Sequence, residues 1–300
     1  MKIEFSCLFI YFEVSKRIYF KKIIRIIIES FNRDNHEKFD KTNFRKGVKR
    51  LSKTKYFIDP DIEHVLVFPS GTKFFDYDIY LNRHILLMDK ASCLPCFALS
   101  PPPGSTVLDA CAAPGNKTIC LANYLKDNGT LYAIEMNKRR FKELNTNLKS
   151  AGVTCAHTLN GDFLNITIPF NEIDYILLDP SCSGSGIRNR NDDTEIIDEQ
   201  RLERLAALQI RMITYALTKF PKVKRITYST CSIHQQENEQ VVETILDQFS
   251  DTFQLVDFLP QWPSRGQTER TRACLRASSE DTLTNGFFVA CFERIIKMDI

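Results

Sequence analysis

From Thr106 onward strand-like and helix-like segments alternate along the chain, and several of the strands end on a residue able to do chemistry. Thr106–Ala110 reads as a strand, Lys117–Leu125 as a helix, Thr130–Glu135 as a strand, Lys138–Ser150 as a helix and Cys155–Leu159 as a strand. Asp174–Leu178 follows as a buried strand. Glu195–Phe220 carries helical spacing through Leu202, Leu205, Leu208 and Met212, and Arg225–Ser229 is a further strand. Strands alternating with helices imply an α/β fold built on a doubly wound, mostly parallel sheet. Phe253–Phe258 and Gly286–Phe292 are expected to add strands at one edge.

Upstream the text is less regular. No clean period precedes Tyr56; His64–Phe68 reads as a short strand, Ile85–Ala98 as an apolar helix, and Pro101–Gly104 stops any helix before the alternation begins. Residues 1–60 are therefore expected to form a poorly structured or truncated basic region, and 61–300 the main domain. The net charge of +3 hides an uneven split, with 15 Lys/Arg against 7 Asp/Glu in residues 1–60 and 25 against 30 in the rest. A basic end of that kind suits RNA or DNA, or is simply a solvated surface.

Composition excludes some classes. With 43% hydrophobic and 26% charged residues the chain is neither disordered nor low in complexity. Ten cysteines spread from Cys7 to Cys291 read as reduced thiols rather than a disulfide scaffold. The apolar stretch Phe5–Phe12 lies between Glu4 and Glu13, too short and too charged to span a membrane, and lacks a cleavage site. An intracellular, membrane-free protein is the expectation.

Ligands of open α/β sheets bind beyond the carboxyl ends of the strands. After the first strand comes Asp109-Ala-Cys-Ala-Ala-Pro-Gly-Asn-Lys-Thr118, a tight turn opening a helix whose N–H groups face a ligand. Glu135 ends the second strand and suits the two hydroxyls of a ribose. Asp162 follows the third, placed to accept from an amine such as adenine N6. The turn carries one glycine, Gly115, where a dinucleotide site wants several, which points away from NAD and toward S-adenosylmethionine.

Asp179-Pro-Ser-Cys182 and Thr230-Cys231-Ser232 each put a cysteine just beyond a strand. C5 of a pyrimidine becomes nucleophilic only after a thiolate adds to C6; a base later takes the C5 proton and the thiol leaves. Asp179, Cys182 and Cys231 supply an acid near the base edge, and two thiols for attack and release.

These motifs, in this order, resemble the RsmB/NOP2/Sun family of RNA cytosine-C5 methyltransferases, over about His64 to Phe292. Leu177–Gly186, Asp89–Pro95, Leu275–Ser278 and Gly286–Ala290 are closest to the subgroup that modifies large-subunit ribosomal RNA. The resemblance implies a seven-stranded Rossmann-like methyltransferase domain using S-adenosylmethionine, with Cys111, Ala112, Ala113, Pro114, Gly115, Asn116, Lys117, Glu135, Arg140, Asp162 and Asp179 at the cofactor. It makes Cys231 the nucleophile and Cys182 the residue that helps break the adduct, and it implies an unstacked cytosine in ribosomal RNA and nucleolar residence. The Asp179-Pro-Ser-Cys182 wording departs from the usual Asp-Ala-Pro-Cys but keeps the register. Family members of this subgroup carry a long RNA-binding region upstream; about 60 residues stand here, which implies truncation or an accessory protein.

The competing expectations are a non-catalytic RNA-binding assembly factor that retains the fold, and a DNA enzyme using Cys182 as nucleophile. Cys93-Leu-Pro-Cys96 has metal spacing without a second pair and reads as core, and the histidines show no ligand spacing, so no metal is expected. Trp262 reads as packed under a loop, or less readily as a base-stacking residue. Lys117 and the helix starting at Gln235 are the candidates for lowering the Cys231 pKa.

Overall fold

The structure, a computed structural model, describes residues 8–12, 48–51, 54–62, 65–68, 74–75, 80, 85–168, 171–187 and 198–296. The main sheet has five parallel strands, β6 (Thr106–Asp109), β7 (Thr130–Glu135), β8 (Ala156–Asn160), β9 (Tyr175–Leu178) and β10 (Arg225–Thr230). Their order is β8-β7-β6-β9-β10, and β13 (Phe287–Arg294) then joins antiparallel to β10, followed by β11 (Phe253–Leu255). A short eighth strand, β12 (Leu275–Ala277), which the sequence reading did not separate, pairs with β13 off this path.

The double winding is visible in the strand text. Along β9, Leu177 faces one core while Ile176 and Leu178 face the other; along β13, Val289 and Cys291 alternate with Phe288, Ala290 and Phe292. The first face is covered by α1 (Lys90–Leu99), α2 (Asn116–Tyr124) and α3 (Lys138–Ser150). The second is covered by α4 (Glu199–Lys219) and α5 (Glu239–Phe249). A central strand buried on both sides must be apolar throughout, as in Tyr-Ile-Leu-Leu of β9.

Two readings are corrected. The apolar run from Ile85 is a strand, β5 (Ile85–Met88), and only then a helix, because Asp89 intervenes as the N-cap of α1, its Oδ1 accepting from Ala91 N at 2.8 Å. Hydrophobic content alone does not distinguish a buried strand from a buried helix. The region before Tyr56 contributes strands, β1 (Leu8–Phe12), β2 (Val48–Leu51) and the start of β3 (Thr54–Ile58); with β4 (Leu66–Phe68), which lies within the stretch read as a strand, and β5 they make an antiparallel sheet in the order β2-β3-β4-β1-β5. The boundary expected at residue 60 falls inside this hydrogen-bonded sheet. His64 and the expected helix start at Glu195 lie outside the described residues.

Lys90 binds the loop after β3, pairing with Asp59 at 2.9 Å and with Asp61, and its ammonium lies 5.1 Å from the Trp262 ring centre. Trp262 is buried and donates to Arg276 O at 2.7 Å, so it packs and does not offer a stacking face. Cys93 and Cys96 are likewise core residues, with thiols on the carbonyls of Asp89 and Lys117.

Two glycines let the loop after β9 cross the segment before β13. Gly286 N donates to Gly186 O and Gly186 N to Cys231 O, each at 2.9 Å. A Cβ on Gly186 would stand 2.0 Å from Gly286 O, a backbone atom. Gly186→Ala is expected to destabilise the protein by about 1–3 kcal/mol, because the crossing must open; urea unfolding of the two proteins measures it, and equal midpoints would contradict the crossing.

Candidate active site

Beyond β6, Ala110–Gly115 forms the turn that opens α2. Gly115 has φ 110°, a left-handed value suited to glycine, and no side chain caps the first turn of α2, leaving its N–H groups for a ligand. The turn is held from outside by α3: Arg140 Nη2 donates to Ala113 O at 2.6 Å and Asn147 Nδ2 to Pro114 O at 2.8 Å. Leu144, between them, would touch a Cβ at Gly115. Asn147 escaped the sequence reading, although Arg140, Leu144 and Asn147 recur at i, i+4 and i+7 and therefore share a helix face.

Glu135 ends β7 as a buried carboxylate, accepting from Asn137 N at 2.7 Å and standing 3.5 Å from Arg140 Nη1. Asp162 uses both oxygens in its own turn, toward Leu164 N at 3.0 Å and Asn165 Nδ2 at 2.7 Å. Each carboxylate oxygen keeps a second lone pair, so both groups retain acceptor capacity.

Asp179 directly follows β9. Its Oδ2 accepts from Lys117 Nζ at 2.8 Å and its Oδ1 from Ser229 Oγ at 2.6 Å. Burial disfavours the Lys117 charge, but the Asp179 charge and hydrogen bond outweigh it and hold Lys117 as an ammonium well above its ordinary range. Ser229 was missed; it lies two residues before Cys231 and so shares its side of the strand end.

The two thiols meet. Cys182 Sγ lies 3.1 Å from Cys231 Sγ, and both are free and partly buried. The Cys182 hydrogen bond lowers the Cys231 pKa, against the opposing effect of burial and of Asp179, and the Lys117 charge helps. The same hydrogen bond, with burial, pushes Cys182 far up. Of the two candidates named from sequence, Lys117 contributes; the element at Gln235 is a 3-10 turn of only three residues, Gln235–Glu237. Burial raises the pKa of Cys111, in the turn after β6.

A cavity of about 290 Å³ opens between the two sheets' connecting elements. Leu87, Met88, Asp89 and Ser92 line it from the β5–α1 junction; Cys111–Pro114, Asn116, Lys117 and Asp179 line it from the main sheet. Glu135, Arg140, Asp162 and the two thiols stand outside its lining. The β5–α1 wall was not read from sequence as part of the site.

A doubly wound sheet whose first turn carries a single glycine, with acids and thiols at the neighbouring strand ends, defines a Rossmann-like methyltransferase scaffold. The chain belongs to the RsmB/F methyltransferase family, since the family model described as 16S rRNA methyltransferase RsmB/F matches residues 96–293. A second model, the ferredoxin-like domain of NOL1/NOP2/Sun domain family member 5, matches residues 17–88. A 28S rRNA (cytosine-C(5))-methyltransferase of Mus musculus is 42% identical over 89% of this chain and 59% of its own length. A putative methyltransferase of Homo sapiens, NSUN5C, is 39% identical over 77% of this chain and 76% of its own. The crystal structure of a methyltransferase homologue from Pyrococcus horikoshii shares the fold, with a TM-score of 0.76 at 23% identity over 96% of this chain and 87% of that one. The chain spans about three fifths of the length of the curated ribosomal RNA methyltransferases that it matches.

Asp109 beneath the turn is fully buried. Its Oδ2 accepts from Thr118 Oγ1 at 2.7 Å, its Oδ1 has no hydrogen-bond partner among the described residues, and burial lifts its pKa to about 7. The folded protein thus holds a proton that the unfolded chain, with the ordinary value of 3.8, has released. Stability from this group is full below about pH 4 and is lost as pH rises to about 7. The melting temperature of the wild type minus that of Asp109→Asn is expected to fall across that window and level off above it. A difference independent of pH would mean that Asp109 is ionised throughout.

Proposed function

We propose that this chain transfers a methyl group from S-adenosylmethionine to C5 of a cytosine in RNA, with large-subunit ribosomal RNA as the substrate class. The observation that carries the reading is the pair of free thiols 3.1 Å apart, beside an Asp179 carboxylate fixed by Lys117 and Ser229. The names of the curated relatives support the same substrate.

The residues fit the cofactor. Cys111 through Lys117 surround the uncapped start of α2, which suits a carboxylate, and Glu135 is a buried acceptor for ribose hydroxyls. Arg140 holds the turn and Glu135 together, Asp162 retains lone pairs for an amine, and Asp179 closes the site. When bound, S-adenosylmethionine supplies an activated methyl group.

The chain's own residues do the rest. Cys231, as thiolate, adds to C6 of an unstacked cytosine and makes C5 nucleophilic, while Asp179 accepts from the exocyclic amine. After C5 carries the methyl group a base takes its proton, the C5–C6 double bond re-forms, the Cys231 sulfur leaves C6 with its electron pair, and Cys182 assists that release. The basic residues 1–60 supply charge for the RNA backbone. This reading puts the protein in the nucleolus, with an accessory protein as a candidate aid to RNA capture; among the described residues no helix is long and apolar enough to cross a membrane.

Transfer of labelled methyl to unmodified large-subunit ribosomal RNA tests the proposal. Cys231→Ala is expected to abolish transfer and adduct together, and Cys182→Ala to accumulate a covalent protein–RNA complex. The reverse pattern would assign the nucleophile to Cys182, as in DNA enzymes. RNA binding without transfer by the intact chain, with S-adenosylmethionine still bound, would favour the non-catalytic assembly factor.

A further inference from the structure

The loops that carry the two thiols are gripped by two consecutive residues. Glu237 is a fully buried carboxylate with no cation within ion-pair distance among the described residues. Its oxygens accept from Ser183 N at 3.0 and 3.2 Å, and Oε1 accepts from Gln209 Nε2 at 3.0 Å. Gln209 Nε2 also donates to Ser181 O at 3.1 Å. The peptide groups on both sides of Cys182 are thereby pinned to one carboxylate. Asn238 does the same for Cys231: its Oδ1 accepts from Thr230 Oγ1 at 2.5 Å and its Nδ2 donates to Ser232 O at 2.9 Å.

A buried carboxylate is costly unless its hydrogen bonds are complete, and only an acceptor-only group answers donors converging on both oxygens. Tyr228 Oη, donating to Glu237 O at 2.5 Å, fixes the backbone from which that carboxylate projects. We propose that Glu237 is a positioning residue that holds Cys182 against Cys231 and so governs release of the methylated base more than attack on it. The assignment to release rests on the methyltransferase reading; the assignment to thiol placement does not.

Two variants test it. Glu237→Gln replaces one acceptor by a donor, and Glu237→Asp withdraws both oxygens by a methylene, so the second decides if the first fails to fold. Without RNA, diamide takes the two thiol hydrogens and leaves the Cys182–Cys231 disulfide, counted by peptide mass spectrometry. Its formation is expected to slow about tenfold or more, the scale of one lost hydrogen bond to a charged acceptor. With RNA, the covalent complex is expected to accumulate at steady state while the first methyl transfer is retained. Disulfide formation at the wild-type rate overturns the proposal. Adduct and methyl transfer falling in proportion overturn the role in release, since a general loss of structure does that. A wild type that forms the disulfide but no adduct counts against the methyltransferase reading, and Glu237 is then judged on the disulfide rate alone.

Discussion

The parallel pairing of β9 with β10, with Leu178 beside Tyr228, sets the level at which both strands end. The next residues, Asp179 and Ser229, are therefore neighbours, and their hydrogen bond of 2.6 Å follows from the register. Three residues after Asp179 the chain reaches Cys182, and two after Ser229 it reaches Cys231, so the thiols converge from adjacent strands. On the other side of β9, β6 pairs in parallel with Asp109 beside Leu177, which brings the turn and Lys117 to Asp179. A slip of one residue in β9 would send Asp179 to the opposite face and dismantle all three contacts.

Charge at this junction is balanced locally. Lys117 faces Asp179 at 2.8 Å and also favours a thiolate at Cys231, so one ammonium serves two anionic positions. The contact with Cys182 lowers the Cys231 pKa as well, by a hydrogen bond that adds no charge. The 3.1 Å separation of the thiols is held by the buried grip of Glu237 and Asn238 on the flanking peptides.

The main sheet was legible because its signals are local and redundant. Apolar strands such as Tyr175–Leu178 are too short to be helices, and the acids and cysteines at their ends read directly as site residues. The β5–α1 division was not legible, since Ile85–Met88 and the helix after Asp89 are equally apolar and only the cap separates them. The small sheet was hidden for another reason. Apart from β4, read within 64–68, its strands are short and pair across the sequence, β1 with β4 and β5, so no local period announces them. Ser229, Asn147 and Glu237 act through backbone or through other side chains, and a residue that positions another leaves no trace in the motif it serves.

Two cysteines at equivalent strand ends look interchangeable in the sequence, yet their surroundings are not symmetric. Their contact lowers the Cys231 pKa, with help from the Lys117 charge, and raises that of Cys182. Thr230 and Ser232, which flank Cys231, are bound by a neutral side chain, Asn238, whereas the residues beside Cys182 are bound through the carboxylate of Glu237. The asymmetry therefore extends from the thiols to the loops that carry them, each held by a different buried side chain beside its cysteine.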